Sequence, residues 1–94
     1  MSIETPVSAD AEPAPDIDDL RQEIDRLDAE ILAAVQRRTE VSRLIGKARM
    51  ASGGTRLVHS REMKVIDRFI AAIGPEGKDL ALVLLRLGRG RMGH

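Results

Sequence analysis

Three arginines and one glutamate stand at spacings that fit a site for a small anion. Arg38 and Arg49 are eleven residues apart. In a helix this is three turns, so both side chains lie on nearly the same face, about 16 Å apart along the axis. Arg61 and Glu62 are adjacent near the start of a later predicted helix. Because a guanidinium can bind a carboxylate through two parallel hydrogen bonds, this set suits a small dicarboxylate.

Arg21 is a further cation that cannot join this face from the same chain. It precedes Arg38 by seventeen residues, which places it roughly 100° around the helix. A second copy of the chain could present it to the same pocket. Arg21 can therefore take part in the candidate site only in an oligomer.

Simpler interpretations of the same residues stay open at this point. Arg38 and Glu62 also fit a buried structural ion pair. Arg21, Arg49 and Arg61, taken singly, fit solvated charges on a helix surface. Glu62 alone also fits a first-turn partner of the helix dipole.

Several other kinds of chemistry lack the residues they need. The sequence has no cysteine, so it has no thiolate nucleophile and no disulfide framework. His59 and His94 have no second ligand at metal spacing. No Ser-His-Asp set, P-loop or dinucleotide fingerprint is present. We expect a site without metal or cofactor.

One long amphipathic segment must position the arginines. In the run 17–50, the residues at alternating intervals of three and four are apolar at nine of ten positions, as expected for a helix with one buried face. They are Ile17, Leu20, Ile24, Leu27, Ile31, Ala34, Arg38, Val41, Ile45 and Ala48. The exception is Arg38, and a charge on a core stripe needs an anionic partner. Asp16 is the predicted N-cap, and the helix is predicted to end near Ala51.

The length of this helix predicts a homodimer. It would measure roughly 50 Å, whereas a compact domain of about 80 residues has a radius of gyration of about 12 Å. The rest of one chain is too short to cover the apolar stripe along its whole length. We therefore expect two copies to pair their long helices.

The remaining chain is predicted to form a loop and two shorter helices. The loop covers residues 52–58. The second helix has Ser60 as N-cap and ends at Gly74-Pro75, and its predicted apolar face consists of Ile66, Phe69, Ile70 and Ile73. The third helix is predicted from Pro75 or Glu76 through Leu87, buried on most sides, with the glycines from Gly88 onward ending it. The fold class is all-α, with three helices per chain, one of them very long.

Composition divides the chain into a leader, a domain and a tail. Residues 1–15 contain three of the four prolines without periodicity and are predicted to be disordered; residues 16–88 form the helical domain, and residues 89–94 a flexible Gly/Arg tail. Residues 1–30 carry ten acidic and two basic side chains, and residues 31–94 carry five acidic and thirteen basic ones, so the basic part should attract anions. No signal peptide or membrane-spanning run is recognisable, and we expect a soluble cytoplasmic protein.

The arrangement resembles the all-helical class of chorismate mutases. The resemblance rests on the segments 21–28, Ile31-Leu32, Arg38, 45–49 and Arg61-Glu62. It extends from Ile17 to Leu87, and the short chain, glycine-rich loop and Gly-Arg tail are most similar to the small actinobacterial mutases. The resemblance implies an intertwined homodimer with two identical sites, each lined by three helices of one chain and an arginine of the other.

The resemblance also implies an activity and a mechanism. Members of this family rearrange chorismate to prephenate, the branch step toward phenylalanine and tyrosine, without nucleophile, metal or proton relay. The enzyme must hold a flexible dianion in its compact conformer and stabilise the negative charge that builds on the breaking ether oxygen. Fixed cations can do both.

Site residues carry over by position in the motif. Arg38 and Arg21 of the other chain would bind the two carboxylates, and Arg49 would bind the side-chain carboxylate and the ether oxygen. Glu62 would accept a hydrogen bond from the ring hydroxyl. Arg61 would supply further positive charge.

Three departures from the family pattern affect the expected rate. Arg49 replaces the lysine common in the family, and Val58 stands where some relatives have an aspartate that contacts a hydroxyl. No glutamine follows Gln36, although relatives place a helix-three glutamine on the ether oxygen. We therefore expect an enzyme that is weak alone and is activated by complex formation with DAHP synthase, which could order residues 89–94. A merely frayed terminus is the alternative for the tail.

Three other functions compete with the mutase interpretation. Nucleic-acid binding lacks a recognition motif and aromatic stacking residues. A dimeric helical adaptor explains the long helix but leaves the charged interior unexplained. An isochorismate pyruvate-lyase is closer, because the same helical fold carries such enzymes, and product analysis would separate it from a mutase.

Overall fold

The computed structural model describes residues 14–54 and 59–90, and these residues form three helices. Helix α1 is Ile17–Ala51, helix α2 is His59–Ile73 and helix α3 is Glu76–Arg89. The described part contains no strand. This confirms the predicted all-α class and the long first helix. None of the described helices is long and apolar enough to cross a membrane.

Asp16 caps the start of α1, as predicted. Its carboxylate oxygen Oδ1 accepts a hydrogen bond of 2.9 Å from the backbone N–H of Asp18. Its carbonyl accepts the first helical bond, 3.1 Å from the N–H of Leu20. An otherwise unpaired N–H of the first turn is thereby satisfied, and the acidic first turn suits the positive end of the helix dipole.

Two glycines close the other end of α1 in a Schellman motif. The N–H of Gly54 donates to the carbonyl of Arg49 at 2.8 Å, and the N–H of Gly53 donates to the carbonyl of Met50 at 3.1 Å. Gly53 has a φ of 86°, a left-handed conformation that side chains with a Cβ rarely adopt. The turn chemistry predicted for residues 52–54 is confirmed, whereas residues 55–58 lie outside the described part.

Helices α2 and α3 form a tight helical hairpin. Gly74, with φ of 91°, makes the turn between them, and Pro75 precedes the first residue of α3. Gly77 is buried, and a Cβ at this position would overlap the backbone carbonyl of Phe69. The absence of a side chain therefore sets how closely the two helices approach each other.

Two helix boundaries differ from the prediction. Helix α2 begins at His59, so Ser60 lies inside the first turn and is not the cap. Helix α3 continues through Gly88 to Arg89, so the prediction that the helix breaks at Gly88 was wrong. The physical reason is packing: Gly88 is buried where a Cβ would overlap the side chain of Ser42 on α1, and this close approach outweighs the low helix propensity of glycine.

The C-terminal end of α3 is fixed by further polar contacts. Gly90, with φ of 72°, donates its N–H to the carbonyls of Arg86 and Leu87. From α1, Arg43 donates to the carbonyl of Leu87 at 3.3 Å. Arg89 therefore belongs to the folded domain, and of the predicted tail only residues 91–94 lie outside the described part, as do residues 1–13 of the predicted leader.

The chain divides into two compact units, Met1–Ile31 and Leu32–His94. The second unit contains the core residues Val65, Ala81 and Leu84. Its helix α3 was predicted to be buried on most sides, but Leu80, Leu82, Val83 and Leu87 are exposed in the single chain. One chain supplies apolar neighbours for one face of α3 and leaves the other faces uncovered.

The first unit contains the N-terminal part of α1, and its predicted apolar stripe is exposed. Ile17, Ile24 and Ile31 each show more than half of their surface to solvent, at 62%, 55% and 57%. Solvated aliphatic side chains in a regular row lose the free energy that burial would provide, about 1.5–3 kcal/mol for each fully buried side chain. This row needs a cover that residues 14–31 do not themselves provide.

Replacing Gly77 by Ala tests the hairpin packing. The added methyl group must displace the carbonyl of Phe69, and we expect a loss of about 1–3 kcal/mol in the free energy of unfolding, as for other overpacked sites. Thermal unfolding followed by circular dichroism measures it. Lys78→Ala, an exposed neighbour in the same turn, is the matched control, and an unchanged Tm for Gly77→Ala would contradict the described packing.

Candidate functional site

The second unit contains a cavity of about 570 Å³ between its three helical segments. This volume is within the range of sites for small organic ligands. The C-terminal half of α1, the first turns of α2 and the middle of α3 line it. The lining residues are Arg38, Val41, Ser42, Ile45, Gly46, Arg49, Arg61, Glu62, Val65 and Leu85.

Arg38 is the half-buried cation of this cavity. It donates a hydrogen bond of 3.3 Å from Nη1 to the carbonyl of Leu84 on α3. Burial, and then the positive charges of Arg61 and Arg68, lower the pKa of Arg38 below its ordinary value. The guanidinium of Arg38 remains cationic at neutral pH. An anion in the cavity would stabilise this charged form.

The ion pair considered between Arg38 and Glu62 is absent from the described residues. The partner of Glu62 is Arg89, which donates from Nη2 to Oε1 at 2.8 Å and from Nε to Oε2 at 3.2 Å. Arg38 contacts a backbone carbonyl and forms no ion pair with a described carboxylate. The interpretation of Arg38 as half of a structural pair with Glu62 was therefore wrong.

The end of α1 positions Arg49 at the cavity. Its carbonyl accepts the closing bond of the Schellman motif from Gly54. A Cβ at Gly54 would stand 2.9 Å from Cγ of Arg49, too close for an undisturbed side chain. The turn thus packs against the aliphatic part of Arg49, a residue that is exposed in the single chain. Gly46, one turn earlier, is buried in the cavity lining.

The structure brings together four of the six residues proposed from the sequence. Arg38, Arg49, Arg61 and Glu62 all line the cavity. Arg21 belongs to the first unit, where its side chain is exposed. Val58 lies outside the described residues.

Sequence reasoning missed two arginines near this cluster. Arg68 follows Arg61 by seven residues, two helical turns, and this spacing could have placed it beside the same face. Arg89 follows the cavity residue Leu85 by four, which is also a same-face spacing, but the glycines around it led to the prediction of a tail. Val65, an apolar residue of the cavity lining that is only 2% exposed, was missed as well.

The cavity combines guanidiniums with one carboxylate on an aliphatic background. Such a lining can bind an anion with more than one negative charge, and the carboxylate can accept a hydrogen bond from a ligand hydroxyl. Among residues 14–54 and 59–90 there is no group of three or more acidic or histidine side chains placed to hold a metal ion.

Comparisons with known proteins give one consistent family. The family model for chorismate mutase type II matches residues 20–85. An intracellular chorismate mutase of Mycolicibacterium smegmatis is 80% identical over 80 residues, covering 85% of this chain and 77% of the relative. The intracellular chorismate mutase of Mycobacterium tuberculosis strain H37Rv is 74% identical over 85 residues, covering 90% of this chain and 80% of that protein.

A solved structure agrees with the sequence comparisons. It is a non-covalent complex of DAHP synthase and chorismate mutase from Corynebacterium glutamicum with a bound transition-state analogue. The matched chain has a TM-score of 0.78 and 60% sequence identity, and the match covers 82% of this chain and 93% of that chain. With its three helices, its cationic cavity and these relatives, the chain belongs to the type II chorismate mutase family and is a chorismate mutase, an isomerase.

Proposed function

We propose that the cavity of the second unit is the active site in which chorismate rearranges to prephenate. The observation that carries this proposal is the convergence of Arg38, Arg49 and Arg61 with Glu62 on one cavity of suitable volume. The substrate is a dianion with a hydroxyl group, and the lining offers cations for the carboxylates and an acceptor for the hydroxyl. The rearrangement is unimolecular, so binding and electrostatics can supply the catalysis without a nucleophile.

Arg38 and Arg49 have the central roles in the proposed mechanism. Arg38 is already half-buried and hydrogen-bonded to the carbonyl of Leu84, so it can hold a carboxylate with little further loss of freedom. Arg49 binds the side-chain carboxylate and donates to the ether oxygen as its bond breaks. Hydrogen bonds to a charge that develops only in the transition state lower the barrier without tightening substrate binding equally.

The other contacts orient the substrate ring. Glu62 accepts the hydrogen bond of the ring hydroxyl, and Arg61 adds positive charge at the start of α2. Val58 cannot replace the hydroxyl contact of an aspartate. With no glutamine beyond Gln36, the ether oxygen has Arg49 as a donor but lacks the second donor that a glutamine would supply, and the enzyme alone should be slow by the equivalent of about 3 kcal/mol in transition-state stabilisation.

The proposed active form is an intertwined homodimer that completes each site. The exposed stripe of α1 and the exposed leucines of α3 are apolar surface that a second copy would cover. Arg21 of the partner chain would then bind a substrate carboxylate in the cavity of the first chain. Closed twofold symmetry would create two identical sites.

DAHP synthase is the proposed protein partner, and the cytoplasm the proposed location. The Corynebacterium glutamicum structure is a complex of chorismate mutase with DAHP synthase, and the relatives in mycobacteria carry the name intracellular chorismate mutase. A partner that orders the site would offset the missing second donor on the ether oxygen. Residues 91–94 are the proposed contact segment.

Arg49→Ala tests the assignment of the reacting centre. We expect kcat/KM for chorismate to fall about 100- to 1,000-fold, the effect typical of removing one donor to a developing oxyanion, with an unchanged circular dichroism spectrum. Chromatography must identify prephenate as the wild-type product, because salicylate with pyruvate would indicate a lyase. Lys47→Ala, an exposed cation on the same helix, should retain wild-type activity. Full activity of Arg49→Ala would remove this residue from the mechanism.

Complementation between two inactive variants tests the shared site. Arg21→Ala and Arg49→Ala should each be nearly inactive. When mixed and allowed to exchange subunits, half of the dimers become mixed dimers with one intact site, so activity should recover to about one quarter of wild type. The recovery must follow the rate of subunit exchange. Absence of recovery after verified exchange would show that Arg21 does not serve the partner's site.

Deletion of residues 91–94 tests the role of the tail in activation. The cut leaves Arg89 and the Gly90 cap in place, so the activity of the free enzyme should stay within about threefold of wild type, because chain termini commonly tolerate truncation. The increase in kcat/KM upon addition of the DAHP synthase of the same organism should be lost. Undiminished activation of the truncated enzyme would place the partner contact elsewhere.

A further inference from the structure

The pair formed by Arg89 and Glu62 differs from the other ion pairs of the described chain. Its two hydrogen bonds, of 2.8 and 3.2 Å, join both oxygens of the carboxylate to two nitrogens of one guanidinium. The side chains of Arg89 and Glu62 are 29% and 18% exposed, whereas those of Arg37 and Glu40 in a surface pair on α1 are 70% and 64% exposed. Because it is shielded from solvent and has the fork geometry, the pair of Arg89 and Glu62 is the stronger one.

The fold places Arg89 for this contact. Its predecessor, Gly88, packs against Ser42, and its successor, Gly90, closes the helix on Arg86 and Leu87. The backbone on both sides of Arg89 is thus held by separate contacts. A guanidinium on a fixed backbone can fix the plane of the carboxylate that it binds.

Glu62 retains acceptor capacity in this arrangement. A carboxylate offers about four lone-pair positions, and the fork of Arg89 uses one on each oxygen. Glu62 also lines the cavity. A hydroxyl in the cavity can therefore approach a carboxylate whose orientation is already set.

We propose that Arg89 is a positioning residue that orients the carboxylate of Glu62 toward the substrate hydroxyl. This inference rests on the proposed function of the cavity. Arg89 acts through Glu62 and does not touch the substrate. It selects for ligands that carry a hydroxyl at the matching ring position, because such ligands gain from an acceptor that is already ordered before binding.

Four variants in a thermodynamic cycle test this role. They are wild type, Arg89→Ala, Glu62→Gln and the double variant, assayed for kcat and KM with chorismate. We expect Arg89→Ala to lower kcat/KM about tenfold or more, since misplacement of a catalytic contact is costly. In the Glu62→Gln background the same change should have little further effect, because the two residues act as one unit.

Two further variants separate positioning from charge and from folding. Arg89→Lys keeps the charge but cannot form the fork, so it should recover only part of the lost kcat/KM. Arg86→Ala removes an exposed arginine one turn earlier on α3 and should match wild type. Thermal unfolding of every variant identifies any loss of activity that is due to a less stable fold.

Calorimetric binding of two cyclic dicarboxylate inhibitors, one with the ring hydroxyl and one without it, gives a readout independent of turnover. Arg89→Ala should weaken the hydroxylated inhibitor and leave the other unchanged, measured by calorimetry. Equal weakening of both, independent effects of Arg89→Ala and Glu62→Gln, or higher activity of Arg89→Ala would overturn the inference. A wild-type enzyme that binds neither inhibitor and does not convert chorismate would instead overturn the proposed function of the cavity.

Discussion

The structure depends on a conflict between positive charge and burial. Arg38 lies on an apolar helix stripe, is half-buried, and has Arg61 and Arg68 as like-charged neighbours. Such a group is expensive to keep in the folded chain unless dipoles or anions compensate it. The carbonyl of Leu84 supplies one dipole, and a dianionic substrate would supply the rest. If the cavity is the active site, as proposed above, substrate binding would offset the free-energy cost of bringing these cations together in the folded protein.

The lining of the cavity comes from all three helices. Helix α1 contributes Arg38 and Arg49 three turns apart, but a single helix cannot surround a ligand. The hairpin of α2 and α3 provides the opposite wall, together with the one acidic side chain of the lining. Gly77 and Gly88 permit the close helix approaches that hold this wall in place. These glycines, at the positions where helices cross, thus determine where the charged side chains of the cavity lie.

Periodicity and spacing predicted much of the fold and most of the cavity. The stripe of α1, its Asp16 cap and the shared face of Arg38 and Arg49 follow from local rules, whereas the approach of Arg61 and Glu62 to that face depends on how the helices pack. The extension of α3 does not, because the propensity of glycine argues against a helix unless the contact with Ser42 is known. The partner of Glu62 depended on that same extension, so the two errors had one origin. Tertiary packing decides both, and no short-range pattern contains it.

The Schellman turn after α1 has an implication for how this site can vary. Gly54 lies against the aliphatic stem and the carbonyl of Arg49, so a side chain at Gly54 would crowd a residue that lines the cavity. A position that offers no functional group can therefore be as restricted as one that does. In a population of variants, depletion of substitutions at Gly54 would reflect crowding of the stem of the cavity residue Arg49 as well as of its carbonyl, the acceptor that closes the turn.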